Sequence, residues 1–335
     1  MNYLSDGFRA YTNIALIKYW GKKDTTWILP QNNSLSLTLD AFYTDTQVEF
    51  SEDFTADELW IDDQKQSTQS LKKAQTILNI VRAQAGIDLK AKISSINHVP
   101  TAAGLASSAS GLAALAGAAS DALHLNLSDT ELSRLARRGS GSACRSIFGG
   151  FVEWKQGTDD KSSYAVPIDA ADWDIAMLFI IVDSEKKEIS STEGMQHVVE
   201  TSPYYEAWKN STSHDLAAMK QAIQAQDFVK MGQLAEHSAL KMHALNLSAQ
   251  PAFNYWSPQS ITAMNQVKAL RKAGFSVYFT MDAGPNVKLL CKASEIDQIY
   301  EKLLASYQAP QLIKAYPGPG LQRIIERQVK SDESQ

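Results

Sequence analysis

The sequence predicts an α+β fold with two lobes. Alternation typical of strands is commonest in the first part of the chain, helical periodicity follows Asp183, and the two do not alternate as in a doubly wound sheet. The 335 residues are enough for two ordinary lobes with substantial cores. Because no flexible linker marks the boundary, we expect residues 1–183 and 184–335 to pack together with a cleft between them.

The first lobe is predicted to consist of strands with helices packed on them. Strands are predicted at 9–17, 34–39, 46–50, 90–96 and 151–154, and the alternation of apolar and polar residues is clearest in 34–39, 46–50 and 90–96. Helical spacing predicts a helix over 70–84 that stops at Gly86, and small residues predict another around 111–116. Ser128 and Glu131 form a capping box that opens a third helix, which ends at Gly139.

The second lobe is predicted to be richer in helices. A strongly apolar strand at 173–183 leads into it. Strands at 276–281 and 286–291 are expected to pair about the turn 282–285, because Asp, Gly and Pro favour turns. Helices are predicted at 193–200, 204–225, 227–245, 258–273 and 295–306.

The composition is that of an ordinary soluble globular protein, with 44% hydrophobic and 21% charged residues. A net charge of −5 argues against a general nucleic-acid-binding protein. The longest apolar run, 176–182, is too short to span a bilayer, and the first residues lack a secretory signal. Cys144 and Cys291 make no disulfide framework, so we expect a cytoplasmic protein. From the net charge and the short apolar runs we expect no nucleic-acid or membrane partner.

The segment 100–109, Pro-Thr-Ala-Ala-Gly-Leu-Ala-Ser-Ser-Ala, is the most informative in the chain. It joins a predicted strand to a predicted helix, whose first N–H groups attract anions, and its small side chains let a phosphate approach the backbone. It therefore predicts a phosphate site; a tightly packed helix start is the alternative. Neither the Walker A pattern nor Gly-x-Gly-x-x-Gly is present, so any nucleotide binds in another fold.

Two further clusters carry groups suited to an anion. Lys18 and Lys22 lie four residues apart, and lysines supply point charges to phosphates; solvated lysines at a strand end are the alternative. Ser140, Ser142 and Arg145 follow a predicted helix end, where two hydroxyls and a guanidinium can bind a carboxylate or a phosphate. An ordinary capping loop is the alternative for this second cluster.

Asp282 is a candidate general base or hydroxyl-orienting group, because it lies at a predicted strand end. The alternative is an Asp that only stabilises its turn. The charged segment 183–192 is either a lid over phosphates or a solvated loop. Arg137 is expected to be a surface charge at a helix end, and Cys144 a packed small residue.

In order along nearly the whole chain, these segments resemble the diphosphomevalonate decarboxylases, a family of the GHMP kinase superfamily. The segments 13–22, 140–154 and 281–288 distinguish this family from its kinase relatives, whereas the phosphate loop alone does not. The five segments are 13–22 (NIALIKYWGK), 29–36 (LPQNNSLS), 100–109 (PTAAGLASSA), 140–154 (SGSACRSIFGGFVEW) and 281–288 (MDAGPNVK).

The resemblance implies the GHMP kinase fold, with antiparallel or mixed sheets, packed helices, a central cleft and a first lobe like ribosomal protein S5. It implies that ATP, with Mg²⁺, phosphorylates the tertiary 3-hydroxyl of mevalonate 5-diphosphate. Loss of phosphate and CO₂ then gives isopentenyl diphosphate, in the mevalonate pathway of isoprenoid biosynthesis. It also implies a homodimer. A related small-molecule kinase or a phosphomevalonate decarboxylase is the alternative.

Residue roles follow from the same resemblance. It implies that Asp282 is the catalytic carboxylate, that Lys18 supports it, and that Arg145 holds the carboxylate of the substrate. Some bacterial relatives carry Arg in place of Thr192, which implies a weaker or replaced diphosphate contact. The implied substrate-binding residues are Tyr19, Lys22, Ser140, Ser142, Arg145, Ser191, Thr192 and Met195. The implied ATP-binding residues are Ala103, Gly104, Leu105, Ala106, Ser107, Ser108 and Lys187, with Lys186 as the alternative to Lys187.

Overall fold

The first half of the chain forms a large sheet with helices on one face. The structure is a computed structural model that describes residues 2–98, 107–182 and 189–324. Within them, β3 and β4 form a separate ribbon, and the other strands of this half join a nine-stranded sheet. The strands are β1 (Asn2–Leu4), β2 (Gly7–Ile17), β3 (Lys22–Asp24), β4 (Leu29–Pro30), β5 (Ser34–Ser51), β6 (Glu58–Ile61), β7 (Gln64–Lys65), β8 (Lys90–His98), β9 (Phe151–Trp154) and β10 (Ala165–Asp169).

Three helices, α1 (Thr68–Ala85), α2 (Ser107–Ala122) and α3 (Asp129–Gly139), pack against this sheet. The predicted end of α1 and the predicted start of α3 are confirmed by the local geometry. Gly86 adopts the left-handed conformation, with φ of 69°, that terminates α1. Ser128 and Glu131 exchange side-chain and backbone hydrogen bonds at the start of α3, which is the predicted capping box.

Strand β5 is continuous where the sequence predicts two separate strands, 34–39 and 46–50. Its pairing with β2 is irregular in the middle, since Tyr11 pairs with Tyr43 but Asn13 already pairs with Thr38. In this irregular stretch the N–H of Asp40 donates to the carbonyl of Tyr316. A distant segment, and not β2, therefore satisfies the backbone N–H of Asp40, where the pairing of β5 with β2 is irregular.

The second half contributes an antiparallel four-stranded sheet with the order β12-β13-β11-β14. The predicted pairing of 276–281 with 286–291 is confirmed by β12 and β13. The remaining elements are β11 (Ala176–Ile180), α4 (Ser191–Thr201), α5 (Tyr205–Gln224), α6 (Phe228–Ser248), α7 (Pro258–Lys272), β12 (Val277–Thr280), β13 (Val287–Cys291), α8 (Ile296–Leu303), β14 (Leu312–Ala315) and β15 (Gln322–Ile324).

Sheet membership does not follow a single cut at residue 183. Strand β11 precedes that position, yet it pairs with β13 and β14. Strand β15 follows it, yet it pairs with β2 in the nine-stranded sheet. The end of the described chain therefore returns to the first lobe.

A shared apolar core joins the two halves. Leu16, Leu37 and Phe151 from the first sheet lie in one buried cluster with Phe179 of β11 and Met231 of α6. A second cluster, which includes Trp20, Met195 and Met242, brings the end of β2 together with α4 and α6. These cores fix the position of the β2 end relative to the second half of the chain.

The architecture confirms the α+β class, with antiparallel and mixed sheets and helices packed on them. None of the helices in the described ranges combines the length and the apolar character needed to cross a bilayer.

Candidate active site

A pocket of about 230 Å³ lies where the end of β2, the start of α4 and the loop between β12 and β13 meet the segment after α3. The fold brings to this pocket residues that are far apart in the sequence. The residues with predicted roles that line it are Lys18, Tyr19, Lys22, Ser108, Ser140, Ser142, Arg145, Ser191, Thr192, Met195 and Asp282.

Two lysines hold one carboxylate at the centre of the pocket. The Nζ of Lys18 lies 2.7 Å from Oδ1 of Asp282 and donates to the carbonyl of Ala15, also at 2.7 Å. The Nζ of Lys288 lies 3.1 Å from Oδ2 of Asp282. The side chains of Lys18 and Lys288 are 2% and 5% exposed, whereas that of Asp282 is 37% exposed. The carboxylate therefore faces the pocket with both ammonium groups behind it.

This arrangement sets the ionisation of the central residues. Burial acts to raise the pKa of Asp282, but the charges and hydrogen bonds of Lys18 and Lys288 outweigh it and hold that pKa well below the ordinary range. Burial lowers the pKa of Lys18 to about 8, and Asp282 opposes this shift only in part. Asp282 is thus an ionised hydrogen-bond acceptor at neutral pH, and Lys18 loses its proton at mildly alkaline pH.

Helix α6 supports the segment that carries Lys18. The hydroxyl of Ser238 accepts the backbone N–H of Lys18 at 3.1 Å. Further along the same helix, Oδ1 of Asn246 accepts the indole N–H of Trp20 at 3.0 Å. Because both bonds are buried, the direction of the chain after β2 is fixed by polar groups of a helix more than 200 residues away.

His243 lies on the same helix, behind the central residues. It is 2% exposed, and its ring centroid lies 5.1 Å from that of Trp256 and 6.3 Å from that of Tyr255. Burial, followed by the charge of Lys18, lowers the pKa of His243 to about 3. The imidazole is therefore neutral at physiological pH and adds no charge beside the lysines.

Arg145 lies in a 3-10 helix, Gly141–Ile147, where the sequence predicts a loop. It is 2% exposed. Its Nε donates to Oδ1 of Asn13 and to the hydroxyl of Ser36, both at 3.0 Å, and its Nη1 donates to the hydroxyl of Ser34 at 2.6 Å. These partners are neutral, so they orient the guanidinium without cancelling its charge. Such a group suits a carboxylate or phosphate ligand.

Tyr19 presents a phenol to the same pocket. Its ring packs edge-on against Trp154, with centroids 4.7 Å apart. A Cβ at position 141 would lie 2.6 Å from Trp154 and 3.1 Å from Tyr19, so this close approach requires Gly141. Among the described residues, none hydrogen bonds to the buried hydroxyl of Tyr19. Burial raises the pKa of Tyr19, so the hydroxyl remains a donor available to a ligand.

Lys22 and Lys73 also line the pocket and add positive charge to it. Burial lowers the pKa of Lys22, and the charge of Lys73 lowers it further. Sequence reasoning missed Lys73, because a lysine on the polar side of a helix has no local signal of function. It also missed Lys288, although the motif MDAGPNVK ends at that residue.

The predicted nucleotide residues are only partly described. Ala103, Gly104, Leu105, Ala106, Lys186 and Lys187 lie outside the described residues. Ser107 is the first residue of α2. Ser108 and Lys73 line both the central pocket and a second pocket of about 180 Å³. The other residues that line the second pocket include Thr44, Leu59, Ser70, Ile93, Ser95, Asn97 and Leu112.

Two expectations outside the pocket have different outcomes. The expectation that Arg137 is a surface charge is wrong. It is 0% exposed, and its Nη1 donates to the carbonyl of Ser163 at 2.5 Å, because α3 packs against the segment before β10. The expectation for Cys144 is confirmed: the residue is buried, and burial raises the pKa of its thiol to about 12.

The sequence matches two family models over most of its length. Residues 10–165 match the diphosphomevalonate decarboxylase-like N-terminal domain, and residues 177–333 match the mevalonate 5-diphosphate decarboxylase C-terminal domain. A diphosphomevalonate decarboxylase from Ganoderma lucidum is 37% identical over 330 residues, which cover 91% of this chain and 82% of the relative. The chain belongs to the diphosphomevalonate decarboxylase family.

Solved structures of this family have the same fold. The mevalonate diphosphate decarboxylase from Enterococcus faecalis is 48% identical and has a TM-score of 0.92, with 97% of this chain and 100% of that chain covered. A structure of MDDEF in complex with MVAPP, AMPPCP and magnesium has a TM-score of 0.93 at 48% identity, with the same coverage. The GHMP kinase fold expected for a decarboxylase of this family is therefore confirmed.

Proposed function

We propose that this chain catalyses the ATP-dependent decarboxylation of mevalonate 5-diphosphate to isopentenyl diphosphate, with release of ADP, phosphate and CO₂, in the mevalonate pathway of isoprenoid biosynthesis. The observation that carries the proposal is the Asp282 carboxylate, held by Lys18 and Lys288 and facing a pocket with further cations. This charge distribution suits a ligand with one carboxylate, one diphosphate and one hydroxyl between them. Membership of the decarboxylase family supports the same assignment.

The substrate fits the pocket with its carboxylate at Arg145 and its diphosphate at Tyr19 and Lys22. Arg145 is held by neutral partners, so its full charge is available to the carboxylate. The unpartnered hydroxyl of Tyr19 and the ammonium of Lys22 supply donors for the diphosphate. The hydroxyls that complete these contacts are those of Ser140, Ser142, Ser191 and Thr192, with Met195 as an apolar wall.

The nucleotide fits the second pocket. Apolar side chains such as Ile93 and Leu112 give it a surface for a base, and Asn97 and Ser95 add polar groups. Ser108 and Lys73 lie where this pocket meets the central one, which is where a transferred phosphate has to be. We assign the phosphate loop, from Ala103 to Ser108, and Lys187 to the ATP phosphates, as the family resemblance implies.

Mg²⁺ fits this site as an ion bound chiefly by the ATP phosphates. The described residues contain no group of three or more His, Cys, Asp or Glu side chains placed to hold a metal. Mg²⁺ usually keeps several waters and needs few protein oxygens besides substrate phosphates. The hydroxyl oxygen of Ser108, at the junction of the two pockets, would be a suitable ligand for the ion. When bound, the ion supplies charge neutralisation to the phosphates.

In the first step of the proposed reaction, the 3-hydroxyl oxygen forms a bond to the γ-phosphorus of ATP as the bond to ADP breaks. Asp282 is ionised and accepts the hydrogen bond of that hydroxyl, which orients the oxygen for attack. As the new O–P bond forms, the O–H bond breaks, and the proton passes to Asp282 and from there to solvent. Lys18 is charged below its pKa of about 8 and stabilises negative charge at the same place.

In the second step, the tertiary C–O bond breaks and phosphate leaves, because phosphate is a far better leaving group than hydroxide. The electrons of the bond to the carboxylate form the new double bond as CO₂ departs. Lys18 stabilises the departing phosphate, and Arg145 holds the carboxylate until it is lost.

Incubation with ATP, Mg²⁺ and mevalonate 5-diphosphate tests the function. We expect equal amounts of ADP and CO₂, with mevalonate 5-phosphate as the comparison substrate. A stable phosphorylated product without CO₂ would indicate a small-molecule kinase, and faster CO₂ release from the monophosphate would indicate a phosphomevalonate decarboxylase. The Asp282→Asn variant is expected to bind substrate but to lose about 10²- to 10⁴-fold in kcat.

Other expectations accompany this function. The homodimer and the cytoplasmic location remain proposals, which sedimentation analysis and cell fractionation test directly. The two-lobe division also remains a proposal. We place its lobes by sheet membership, so that β11 belongs to the second lobe and β15 to the first.

A further inference from the structure

Lys288 has an unusual position for a lysine. It lies on β13, where its neighbours Val287 and Leu289 are fully buried, and it is itself 4% exposed. Its backbone pairs with Thr280 on one side and Phe179 on the other, so the strand is interior to its sheet. A buried ammonium is costly unless it is paired. Its partner is Asp282, at 3.1 Å.

The two oxygens of Asp282 are divided between two lysines from different halves of the chain. Lys18, at the end of β2, takes Oδ1, and Lys288 takes Oδ2. Lys18 has a second anchor at the carbonyl of Ala15. A carboxylate bound at one oxygen can rotate about its Cβ–Cγ bond, whereas one bound at both oxygens by separate donors is fixed in its plane.

We propose that Lys288 is a positioning residue of this active site, which fixes the orientation of the Asp282 carboxylate in the pocket by binding the oxygen that Lys18 does not hold. This inference rests on the proposed function, because it assigns Asp282 a role at the reacting hydroxyl. The role is distinct from that of Lys18, since Lys288 approaches Asp282 from the second lobe.

Within the described ranges, the titratable and charged groups that face Asp282 come from four elements. They are Lys18 from the end of β2, Arg145 from the 3-10 helix, Lys288 from β13 and the neutral His243 from α6. Removal of Lys288 leaves Lys18 and Arg145 as cations and the carboxylate still open to the pocket. The variant is therefore expected to fold, with the pKa of Asp282 moved upward toward its ordinary range.

The test compares Lys288→Met, Lys288→Arg and the control Lys314→Met. Lys314 lies on β14 of the same sheet, and its ammonium pairs at 2.5 Å with the exposed Asp297, away from the pocket. In Lys288→Met we expect kcat to fall at least tenfold at pH 7, with little change in the KM for ATP. Its rate should also fall by roughly tenfold per pH unit below the new pKa of Asp282, so that an acid limb appears nearer to neutral pH. Lys288→Arg should restore most of kcat, and Lys314→Met should behave as the unmodified protein.

Circular dichroism and thermal unfolding of each variant show whether it is folded. Two outcomes would overturn the inference. One is an unchanged pH profile and kcat in Lys288→Met; the other is an equal loss in Lys288→Met and Lys288→Arg with no displaced acid limb, which indicates a purely structural residue. The unmodified protein, assayed in parallel, separates this inference from the proposed function. If it releases no CO₂, the function fails, whereas normal release alongside an unaffected Lys288→Met variant refutes only the role of Lys288.

Discussion

The ammonium of Lys18 lies 2.7 Å from Oδ1 of Asp282, although 264 positions separate the two residues in the sequence. Lys18 directly follows a strand of the first sheet, and Asp282 follows a strand of the second. Neither half of the chain therefore contains the central ion pair by itself. Since the shared core fixes the two halves together, the ion pair has a defined geometry before any ligand binds.

Lys18 predicts an alkaline limit to activity. Its pKa is lowered to about 8, so the ammonium is present below that pH and is lost as the pH rises through it. A rate that depends on this charge should fall above about pH 8. We expect the pH dependence of kcat to show this limb, and Lys18→Arg to move it upward by more than one pH unit because arginine stays charged.

Lys314→Arg is the matched control, since Lys314 is paired at the surface of the second sheet. An alkaline limb that stays at the same pH in Lys18→Arg would assign the limb to another group. If Lys18→Arg is inactive at every pH, its substrate affinity is compared with that of Lys18→Met. Only the arginine variant should then retain the substrate affinity of the original protein.

Substitution of Arg145 is expected to weaken the binding of mevalonate 5-diphosphate but not that of ATP. The variant Arg145→Lys keeps the charge but loses the planar group that Asn13, Ser34 and Ser36 orient. Loss of a charge-assisted pair of hydrogen bonds costs about 1.5–3 kcal/mol, so the KM for mevalonate 5-diphosphate should rise about 10- to 150-fold. The KM for ATP should change little.

Arg134→Lys provides the control, because Arg134 pairs with the carboxylate of Asp160, is partly exposed and lies outside the central pocket. Steady-state kinetics with each substrate varied in turn gives both constants. A rise in the KM for ATP as large as that for mevalonate 5-diphosphate would remove Arg145 from the carboxylate site.

Substitution of Thr192 by arginine is expected to increase the affinity for mevalonate 5-diphosphate. Thr192 is exposed in the first turn of α4 and lines the pocket. An arginine there adds a cation for the diphosphate, so Thr192→Arg should lower the KM for mevalonate 5-diphosphate about threefold or more, at unchanged kcat. Thr192→Ser is the control. An unchanged KM in Thr192→Arg would show that the cations already present, such as Lys22, saturate the diphosphate contact.

His243 predicts a pH dependence of stability. Its folded-state pKa of about 3 lies below the ordinary value of 6.5, so between these values the unfolded state binds a proton that the folded state does not. Stability from this group is therefore present above about pH 6.5 and is lost as the pH falls toward 3. Between pH 6.5 and 5, the loss amounts to about 2 kcal/mol in the free energy of unfolding.

Urea unfolding at pH 5 and 7 measures this effect. In His243→Leu the difference in free energy of unfolding between the two pH values should shrink by about 2 kcal/mol. His237→Leu is the control, because His237 is exposed on the same helix, and it should keep the original difference. If the difference in free energy of unfolding between pH 5 and 7 is the same in the original protein and in His243→Leu, His243 gains its proton in the folded state, and its pKa is not lowered by burial.

Local patterns were enough for several parts of the fold. Gly86 ends α1 and the box of Ser128 and Glu131 opens α3, since these signals act within a few residues. The pairing of β12 with β13 follows from their turn sequence. The continuity of β5 and the burial of Arg137 could not be predicted, because they depend on Tyr316 and on the segment from Asp160 to Ser163, which are distant in sequence.

By itself, the sequence determined the α+β class, the order of its main elements and the segments that carry polar chemistry, among them Lys18, Arg145 and Asp282. These features are local, because spacing, caps and turn residues act between near neighbours in the chain. Only the tertiary structure decided that Lys18 and Lys288 share one carboxylate, that Ser238 of α6 holds the backbone of Lys18, and that Lys73 joins two pockets. Burial and charge at these positions come from packing between the two halves, and no short stretch of sequence records which distant side chains that packing brings together.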